Sequence, residues 1–335
     1  MAGLGFMGAT HVQAIASMPG VEVAAVSARE EKALSGDLSE AGGNLGRGGA
    51  AADFSRAQKF SDWRSMISES DVDAVDICLP TEFHCEATLA ALARGKHVLV
   101  EKPMALTAVE CAEMLAAAGR AGKTLMVAHV LRFWPEYLEL RRFLDETGLG
   151  AVKRARFERR CALPDWSHWL PDEKRSGGAV MDLLIHDVDQ ALALFGPPDE
   201  VECRSLGPVD SMDAALHYAN GVDVELLGGW YPSGTNFSMG FEIERARGTM
   251  KLEDGRLQVR RELRESQGVA NNGWEPVQVA EGDGYRNEIA YFIQCCREGA
   301  SPARCLPEDS ARAVRLALLL KQARHEAGKR LPCRM

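Results

Sequence analysis

The strongest constraint on the fold is a glycine pattern at the start of the chain, where Gly3, Gly5 and Gly8 follow the spacing G-x-G-x-x-G. A helix-like run at residues 9–18 comes directly after it. Without side chains at Gly3 and Gly5 the backbone can turn tightly and approach a pyrophosphate, and Gly8 allows close helix packing. The N–H groups and dipole of the helix N-terminus attract the anion. The pattern predicts a dinucleotide site that includes Gly3, Gly5, Phe6, Met7 and Gly8.

A dinucleotide site of this kind needs a strand on each side of the helix. The second strand is predicted at residues 21–26, a short β-branched segment after the turn pair Pro19-Gly20. The first strand, the central one of a doubly wound sheet, is missing, because Met1 stands where a strand residue is expected. Three explanations are open: a start codon placed too late, a truncated chain, or another strand in that position. We favour the first, and the prediction is conditional on the strand being supplied.

The length and composition indicate a globular chain of two domains. Its 335 residues exceed the ~250–300 residues at which a single core stops growing. Hydrophobic residues make up 46% and charged residues 26%, which allows a large core. The net charge of −9 argues against broad nucleic-acid binding, because that function needs a basic face.

The same composition predicts a cytoplasmic protein without a membrane span. No run approaches the ~18 apolar residues that a span requires, and the N-terminus lacks the basic and apolar regions of a signal peptide. The nine cysteines are an odd number with no paired C-x-x-C arrangement. We expect them to be reduced and mostly buried, so no disulfide frame and no metal site is predicted.

The residues after the second strand indicate which nucleotide the site prefers. In NAD enzymes an acidic residue at this point holds the ribose 2′-hydroxyl, but residues 27–30 read Ser-Ala-Arg-Glu. The hydroxyl of Ser27 and the planar guanidinium of Arg29 suit a 2′-phosphate. NADP(H) is therefore favoured over NAD(H). The alternative is that Glu30 or Glu31 reaches back to the ribose and Arg29 is merely solvated.

The rest of the first half alternates strands and helices, as in a parallel sheet. Residues 33–58 contain many small residues and are predicted to form a loop after a short helix. Strands are predicted at 72–79, 97–100 and 124–130, and helices at 63–69, 86–94 and 107–121, where Thr107 is the N-cap. Ligands of open α/β sheets bind beyond the carboxyl ends of the strands. The predicted nucleotide contacts at these ends are Pro80, Thr81, His84, Glu101 and Lys102.

The second half reads as an α+β domain. A strand is predicted at 152–161, a loop at 162–176, a helix at 179–195, and closing helices at 285–298 and 308–327. Further strands are predicted at 201–206, 213–218, 222–231, 237–246, 248–252 and 257–263. The predicted fold class is an α/β Rossmann domain at 1–131, followed by an α+β domain at 132–335 with an open, mostly antiparallel sheet. We expect the last helices to return to the first domain.

Polar residues interrupt the apolar helix at 179–195. Asp182 and His186 are four residues apart, so on a helix they lie on one face and can present a carboxylate and an imidazole to the same point. Packing against the sheet is the alternative for His186, and a capped or paired core charge is the alternative for Asp182. Lys102, held between a buried strand and Pro103, is the matching candidate in the first half, where the alternative is an ordinary surface lysine.

Three motifs in this order resemble the glucose–fructose oxidoreductase, inositol dehydrogenase and rhizopine catabolism (Gfo/Idh/MocA) family: the glycine pattern, Glu101-Lys102-Pro103, and Gly-Gly-Ala-Val-Met-Asp-Leu-Leu-Ile-His-Asp-Val-Asp at 177–189. The likeness covers nearly the whole chain. It implies hydride transfer between a nicotinamide and a secondary alcohol or carbonyl of a sugar or cyclic polyol. It also implies homodimers or homotetramers built through the C-terminal sheet. The chain departs from the family in the missing first strand and in lacking a ribose carboxylate at Ala28.

The resemblance also implies residue roles. Lys102 matches the family's lysine, Asp182 its helix aspartate and His186 the histidine one turn later. We expect His186 to act as general acid/base, Lys102 to hold and polarise the oxygen, and Asp182 to orient the substrate. Weaker candidates for the substrate wall or the nicotinamide are Arg132, Trp166, His168, Trp169 and Tyr285.

Two other functions remain open on the sequence alone. One is a non-redox enzyme that uses the dinucleotide transiently, as in the NAD-dependent glycosidases that share this fold. The other is a catalytically silent, nucleotide-sensing regulator. The intact residues Lys102, Asp182 and His186 argue against a silent protein.

Overall fold

The computed structural model describes residues 1–43, 51–261, 273–326 and 328–335. The chain forms two compact units. The first unit comprises Met1–Phe133, Pro164–Asp182 and Gly282–Val314, and the second comprises Trp134–Leu163, Leu183–Glu281 and Arg315–Met335. No helix in the described part of the chain combines the length and hydropathy needed to cross a bilayer.

The described residues contain helices and strands in alternation, followed by a strand-rich segment. The helices are α1 (Phe6–Ala16), α2 (Glu31–Leu34), α3 (Trp63–Glu69), α4 (His84–Ala93), α5 (Ala108–Ala121), α6 (Pro135–Asp145), α7 (Glu173–Ser176), α8 (Ile185–Phe195), α9 (Gly284–Glu298) and α10 (Pro307–His325). The strands are β1 (Ala25–Ser27), β2 (Gln58–Phe60), β3 (Ala74–Ile77), β4 (His97–Glu101), β5 (Leu125–Ala128), β6 (Val152–Ala162), β7 (Glu200–Ser205), β8 (Asp210–His217), β9 (Asp223–Tyr231), β10 (Ser238–Arg245), β11 (Gly248–Glu253), β12 (Arg256–Arg261), β13 (Glu275–Pro276) and β14 (Leu331–Pro332).

The first unit is built on parallel strands, as predicted. β1 pairs with β2, and β3, β4 and β5 pair in that order. Val98, Leu99 and Val100 of β4 are fully buried, which explains the unbroken apolar sequence of this strand. Thr107 caps α5 and forms a capping box with Glu110, so the predicted N-cap is confirmed.

Residues 1–3 lie in the central position of this parallel sheet. Ala2 forms parallel bridges to Ser27 on one side and to Ile77 on the other. Its N–H donates to the Asp76 oxygen at 2.8 Å, and its own oxygen accepts the Cys78 N–H at 2.8 Å. No strand longer than this bridge precedes α1 in the described chain. The two halves of the sheet are therefore joined by a bridge of one residue where the fold usually has a full strand.

The second unit contains a nine-stranded open sheet in the order β13-β12-β11-β10-β6-β9-β8-β7-β14. The neighbours are antiparallel except for β6 and β9, which run parallel. The predicted open, mostly antiparallel sheet is thus confirmed.

Parts of three predicted elements lie outside the described residues. They are residues 262–263 of the strand predicted at 257–263, residue 327 of the helix predicted at 308–327, and residues 44–50 of the predicted loop.

Two predicted elements need correction. The helix predicted at 179–195 is not a single α-helix, because Val180–Leu184 form a π-helical turn before α8 begins. Within the loop predicted at 162–176, Asp172 caps the short helix α7 with its side chain. Periodicity cannot separate a π turn from an α-helix over five residues, since both leave the apolar side chains on one side.

Candidate active site

The three glycines of the first loop differ in the space around them. Gly3 has a φ of +93°, and a Cβ there would lie 2.7 Å from the carbonyl oxygen of Cys78. A Cβ on Gly8 would lie 2.1 Å from the Gly3 oxygen, so this glycine lets α1 close against the loop. Around Gly5, beyond its chain neighbours, no atom of the described chain lies within 4 Å of the Cβ position. Backbone packing therefore requires Gly3 and Gly8, whereas Gly5 leaves the N-terminus of α1 open.

Lys102 and Asp182 are paired at the carboxyl edge of the parallel sheet. The Lys102 ammonium donates to the Asp182 backbone oxygen at 2.6 Å and to the carboxylate Oδ1 at 3.2 Å. The two side chains are 15% and 18% exposed, so the pair is largely shielded from water. Asp182 lies in the π-helical turn, and such turns are frequent at functional sites. The structure thus brings together two of the three residues predicted to carry the chemistry.

Glu101 and His84 hold the segment around Lys102 in place. A carboxylate oxygen of Glu101 accepts the backbone N–H of Lys102 at 3.0 Å. His84 is buried, with Nδ1 2.8 Å from the Pro103 oxygen and Nε2 2.9 Å from the Leu79 oxygen. Burial lowers the pKa of His84, while the two carbonyl contacts act in the opposite direction. The contact of either side chain with a nucleotide stays a prediction.

The segment Pro164–Asp182 touches successive loops at this same edge. The Trp166 ring lies 6.4 Å from the ring of Phe6, in the glycine loop. Arg175 Nε donates to a carboxylate oxygen of Glu82, just beyond β3, at 2.6 Å. The third contact is the Lys102–Asp182 ion pair, since Lys102 lies just beyond β4. The segment therefore follows the carboxyl ends of the strands, where ligands of α/β sheets bind.

The predicted ribose end of the site lies beyond β1. Ser27 is buried, and in the described chain its hydroxyl has no hydrogen-bond partner. The Arg29 side chain is 91% exposed, and its guanidinium lies 3.9 Å from the Glu30 carboxylate. An exposed pair at that distance contributes little, so Arg29 can turn toward a ligand. Thr81, by contrast, is buried at the start of a 3-10 turn, Thr81–Phe83, with Pro80 at its N-cap.

Two of the weaker candidates are engaged inside the first unit. Arg132 follows β5, is nearly buried, and places Nη1 3.3 Å from the Asp309 carboxylate. Tyr285 is buried on α9, with its ring 6.2 Å from the ring of His11. Trp169 is partly buried, whereas Trp166 and His168 are exposed in the same segment. A role of these residues in a substrate wall stays a prediction.

His186 belongs to the second unit, at the start of α8, and is partly exposed. The next residue, Asp187, forms a buried two-point ion pair with Arg159 of β6. This pair fixes the first turn of α8 to the sheet. It thereby also fixes the position of the His186 backbone.

His11 belongs to a buried polar cluster that the sequence analysis missed. It lies on α1, with Nδ1 2.9 Å from Asp76 Oδ2 and Nε2 3.2 Å from Glu101 Oε1. The Cys78 thiol donates to Asp76 at 3.5 Å. Burial acts to lower the pKa of His11, but Asp76 and Cys78 outweigh it and hold that pKa well above its usual value. His11 is thus an imidazolium between two carboxylates.

A histidine three residues after Gly8, in a mostly apolar helix, was the available signal for this cluster. The ligand atoms of His11, Asp76 and Cys78 lie within 4.8 Å of one another, a spacing that a metal ion can use. Burial raises the pKa of the Cys78 thiol to about 12, so the thiol keeps its proton and hydrogen bond. Hydrogen bonding accounts for the cluster as it stands, and we assign no metal to it.

The fold defines a protein with a dinucleotide-binding Rossmann domain and a C-terminal domain built on a large open sheet. Family models match both parts: an oxidoreductase family with an NAD-binding Rossmann fold at residues 1–129, and the GFO/IDH/MocA C-terminal domain at residues 137–251. The chain belongs to the Gfo/Idh/MocA family. The family resemblance stated from three short motifs is therefore confirmed.

Individual relatives are similar over different lengths. The chain is 30% identical over 313 residues to inositol 2-dehydrogenase 2 of Saccharopolyspora erythraea, which covers 89% of this chain and 84% of the relative. It is 35% identical over 150 residues to D-glucoside 3-dehydrogenase of Escherichia coli, covering 44% of this chain and 43% of the relative. For that protein and two further relatives, the match spans only 43% to 63% of the relative's own length.

A solved structure shows the same fold. Levoglucosan dehydrogenase in complex with NADH and levoglucosan superposes with a TM-score of 0.83 at 22% identity, covering 100% of this chain and 98% of that one.

Proposed function

We propose that the protein is an NAD(P)-dependent oxidoreductase that transfers hydride between a nicotinamide and a secondary alcohol or carbonyl of a sugar or cyclic polyol. The observation that carries the proposal is the Lys102–Asp182 pair at the ligand-binding edge of the Rossmann sheet. The relatives support the substrate class, because their names specify a glucoside, an inositol and levoglucosan.

The pair fits the chemistry of this reaction. Oxidising a secondary alcohol removes hydride from carbon as a proton leaves oxygen, so a base has to reach the hydroxyl and a cation has to stabilise the developing alkoxide. When bound, the nicotinamide supplies the hydride acceptor or donor. Lys102 holds and polarises the substrate oxygen, and Asp182 orients the ammonium and the substrate. His186, four residues further along the same helical segment, moves the proton.

NADP(H) is the proposed cofactor, with NAD(H) as the alternative. The buried hydroxyl of Ser27 and the exposed guanidinium of Arg29 lie at the end of β1, where the adenosine ribose binds in Rossmann domains. Residues 27–29 contain no carboxylate that would repel a 2′-phosphate. The open position at Gly5 leaves room for the pyrophosphate at the N-terminus of α1.

The proposal extends to the domains and the assembly. Residues 1–131 bind the nucleotide, and residues 132–335 bind substrate and assemble two or four copies through the open sheet. Trp166, with its exposed indole next to Phe6, is the best placed of the aromatic candidates to cover a ligand of the first unit. Cysteine usage supports a reducing compartment, the cytoplasm.

The test measures nucleotide binding and turnover separately. NADPH and NADH are titrated by fluorescence, and a panel of sugars and polyols is then screened with the nucleotide that binds. Lys102→Met is expected to lower kcat by about 10²–10⁴-fold, because the alkoxide loses its cation, and to change nucleotide affinity far less. Lys96→Met is the matched control, since Lys96 donates to the Ser70 oxygen at the opposite end of β4.

Three results would contradict the proposal. One is that no sugar or polyol reacts with either nucleotide. Another is that Lys102→Met turns over like the Lys96→Met control. The third is release of an aglycone without net change in the nucleotide, which would identify a non-redox enzyme instead.

A further inference from the structure

We propose that His11 is a positioning residue for Lys102 and that it acts through Glu101. The inference rests on the proposed function, in which Lys102 holds the reacting oxygen. His11 lies on the helix that begins at the glycine loop, and Lys102 follows β4, so the two residues come from different elements of the sheet edge.

The Glu101 carboxylate connects the two residues. Its Oε1 lies 3.2 Å from His11 Nε2, and its Oε2 accepts the backbone N–H of Lys102 at 3.0 Å. The first contact is an ion pair by distance rather than an aligned hydrogen bond. Because the two oxygens belong to one planar group, holding one of them restricts where the other can lie. His11 thereby sets the orientation of the peptide from which the Lys102 side chain starts.

His11 is itself held firmly enough to do this. Its ring is fully buried, Nδ1 lies 2.9 Å from Asp76 Oδ2, and the Tyr285 ring packs 6.2 Å away. The side chains of Asp76 and Glu101 are also almost buried, so the imidazolium is screened little by water. Removing the cation leaves two nearly buried carboxylates without the imidazolium between them, and such groups move or take up a proton.

The arrangement connects nucleotide binding to chemistry. α1 presents its N-terminus to the pyrophosphate and, less than two turns later, presents His11 to Glu101. Loss of the His11–Glu101 contact should therefore disturb the Lys102 ammonium while the glycine loop stays intact. The expected result is a lower kcat with nearly unchanged nucleotide affinity.

A pair of amide variants separates the two sides of the ring. The amide nitrogen of His11→Asn corresponds to Nδ1 and keeps the bond to Asp76, whereas that of His11→Gln corresponds to Nε2 and keeps the contact with Glu101. Each variant is compared with Lys96→Met, which removes a buried polar group at the opposite edge of the sheet. The readouts are unfolding midpoint, NADPH affinity, kcat and KM.

A substrate-free readout reports on Lys102 directly. Lysines are reductively methylated with a 13C label, and the Lys102 signal is assigned in an NMR spectrum by its loss in Lys102→Arg. In wild type this signal reports the ion pair with Asp182. The measurement remains valid if no sugar or polyol proves to be a substrate, so failure of the proposed function and failure of this inference are distinguishable.

We expect His11→Asn to shift the Lys102 signal and to lower kcat by about tenfold or more, with KM and NADPH affinity within about threefold of wild type. His11→Gln also removes the charge but keeps a donor toward Glu101, so it should shift the Lys102 signal and lower kcat less than His11→Asn does. The inference is overturned if His11→Asn leaves the Lys102 signal unchanged, or if the two amide variants change the Lys102 signal and the rate equally.

Discussion

Asp187 and Arg159 form a two-point ion pair in the core of the second unit. Arg159 Nε lies 2.9 Å from Asp187 Oδ2, and Nη2 lies 3.0 Å from Oδ1. Both side chains are almost completely buried, and the Tyr137 hydroxyl lies 3.3 Å from the same guanidinium. The pair connects β6 to the first turn of α8, where His186 is the preceding residue.

Breaking this pair should destabilise the protein strongly. Asp187→Ala leaves the Arg159 guanidinium buried without its counter-ion, and we expect a loss of about 3–5 kcal/mol in the free energy of unfolding. Urea unfolding measures it. Glu225→Gln, which breaks an exposed pair with Arg154 on the same sheet, is the control and should cost less than about 1 kcal/mol. Equal losses in the two variants would show that burial does not determine how much the Asp187 pair contributes to the free energy of unfolding.

Arg29→Ala should discriminate between the two nucleotides. If Arg29 binds the 2′-phosphate, its removal weakens NADPH binding by about tenfold, or about 1.4 kcal/mol, and leaves NADH binding nearly unchanged. Parallel fluorescence titrations measure both. Arg56→Ala removes another exposed guanidinium, next to Glu22, and serves as the control. A parallel loss for both nucleotides, or no loss for either, argues against recognition of the 2′-phosphate.

Trp166 should report nucleotide binding through its fluorescence. The centre of its ring lies 6.4 Å from the centre of the Phe6 ring in the glycine loop. A nucleotide bound at this loop would therefore quench the indole fluorescence or accept energy from it. Trp166→Phe is expected to remove most of the signal change on NADPH addition. Trp274→Phe, which removes an indole beside Lys251, should keep it. If the signal survives in Trp166→Phe, Trp166 lies away from the bound nucleotide.

His84 should make the protein less stable in mild acid. Burial lowers the pKa of His84 in the folded state, so its contribution is present above the unfolded-state pKa of about 6.5 and is lost as the pH falls through the folded pKa. His84→Gln keeps a donor but cannot take up this proton. Urea midpoints at about pH 7.5 and about pH 5 should therefore differ less in the variant than in wild type. Identical differences would exclude His84 as the source.

Local chemistry was enough to predict the regular elements. The predicted helix at 63–69 coincides with α3, and β3, β4 and β5 lie inside or overlap their predicted ranges because buried parallel strands read as apolar runs. Boundaries were less exact: the strand predicted at 21–26 is observed as Ala25–Ser27, since backbone pairing with β2 begins at Ala25. Hydrogen-bonding partners, which lie far away in sequence, decide where a strand begins.

Contacts across long stretches of sequence were beyond such reasoning. Lys102 and Asp182 are 80 positions apart, and only the family resemblance connected them beforehand. His11 carried one weak signal, and its partners Asp76 and Glu101 follow from the folding of three separate elements onto one another. An ion pair of this kind depends on distance and burial, and neither is encoded within a short window.

By itself the sequence determined a glycine loop at the start of a helix, then parallel strands and helices, then an antiparallel sheet and two closing helices, because glycine spacing and apolar periodicity act locally. The tertiary structure decided what those patterns leave free. It placed residues 164–182 in the first unit and bonded Lys102 to Asp182 in a π-helical turn. It also buried His11 between two carboxylates. Each of these outcomes depends on side chains that meet only after the chain has folded, where exclusion of water makes their charges interact strongly.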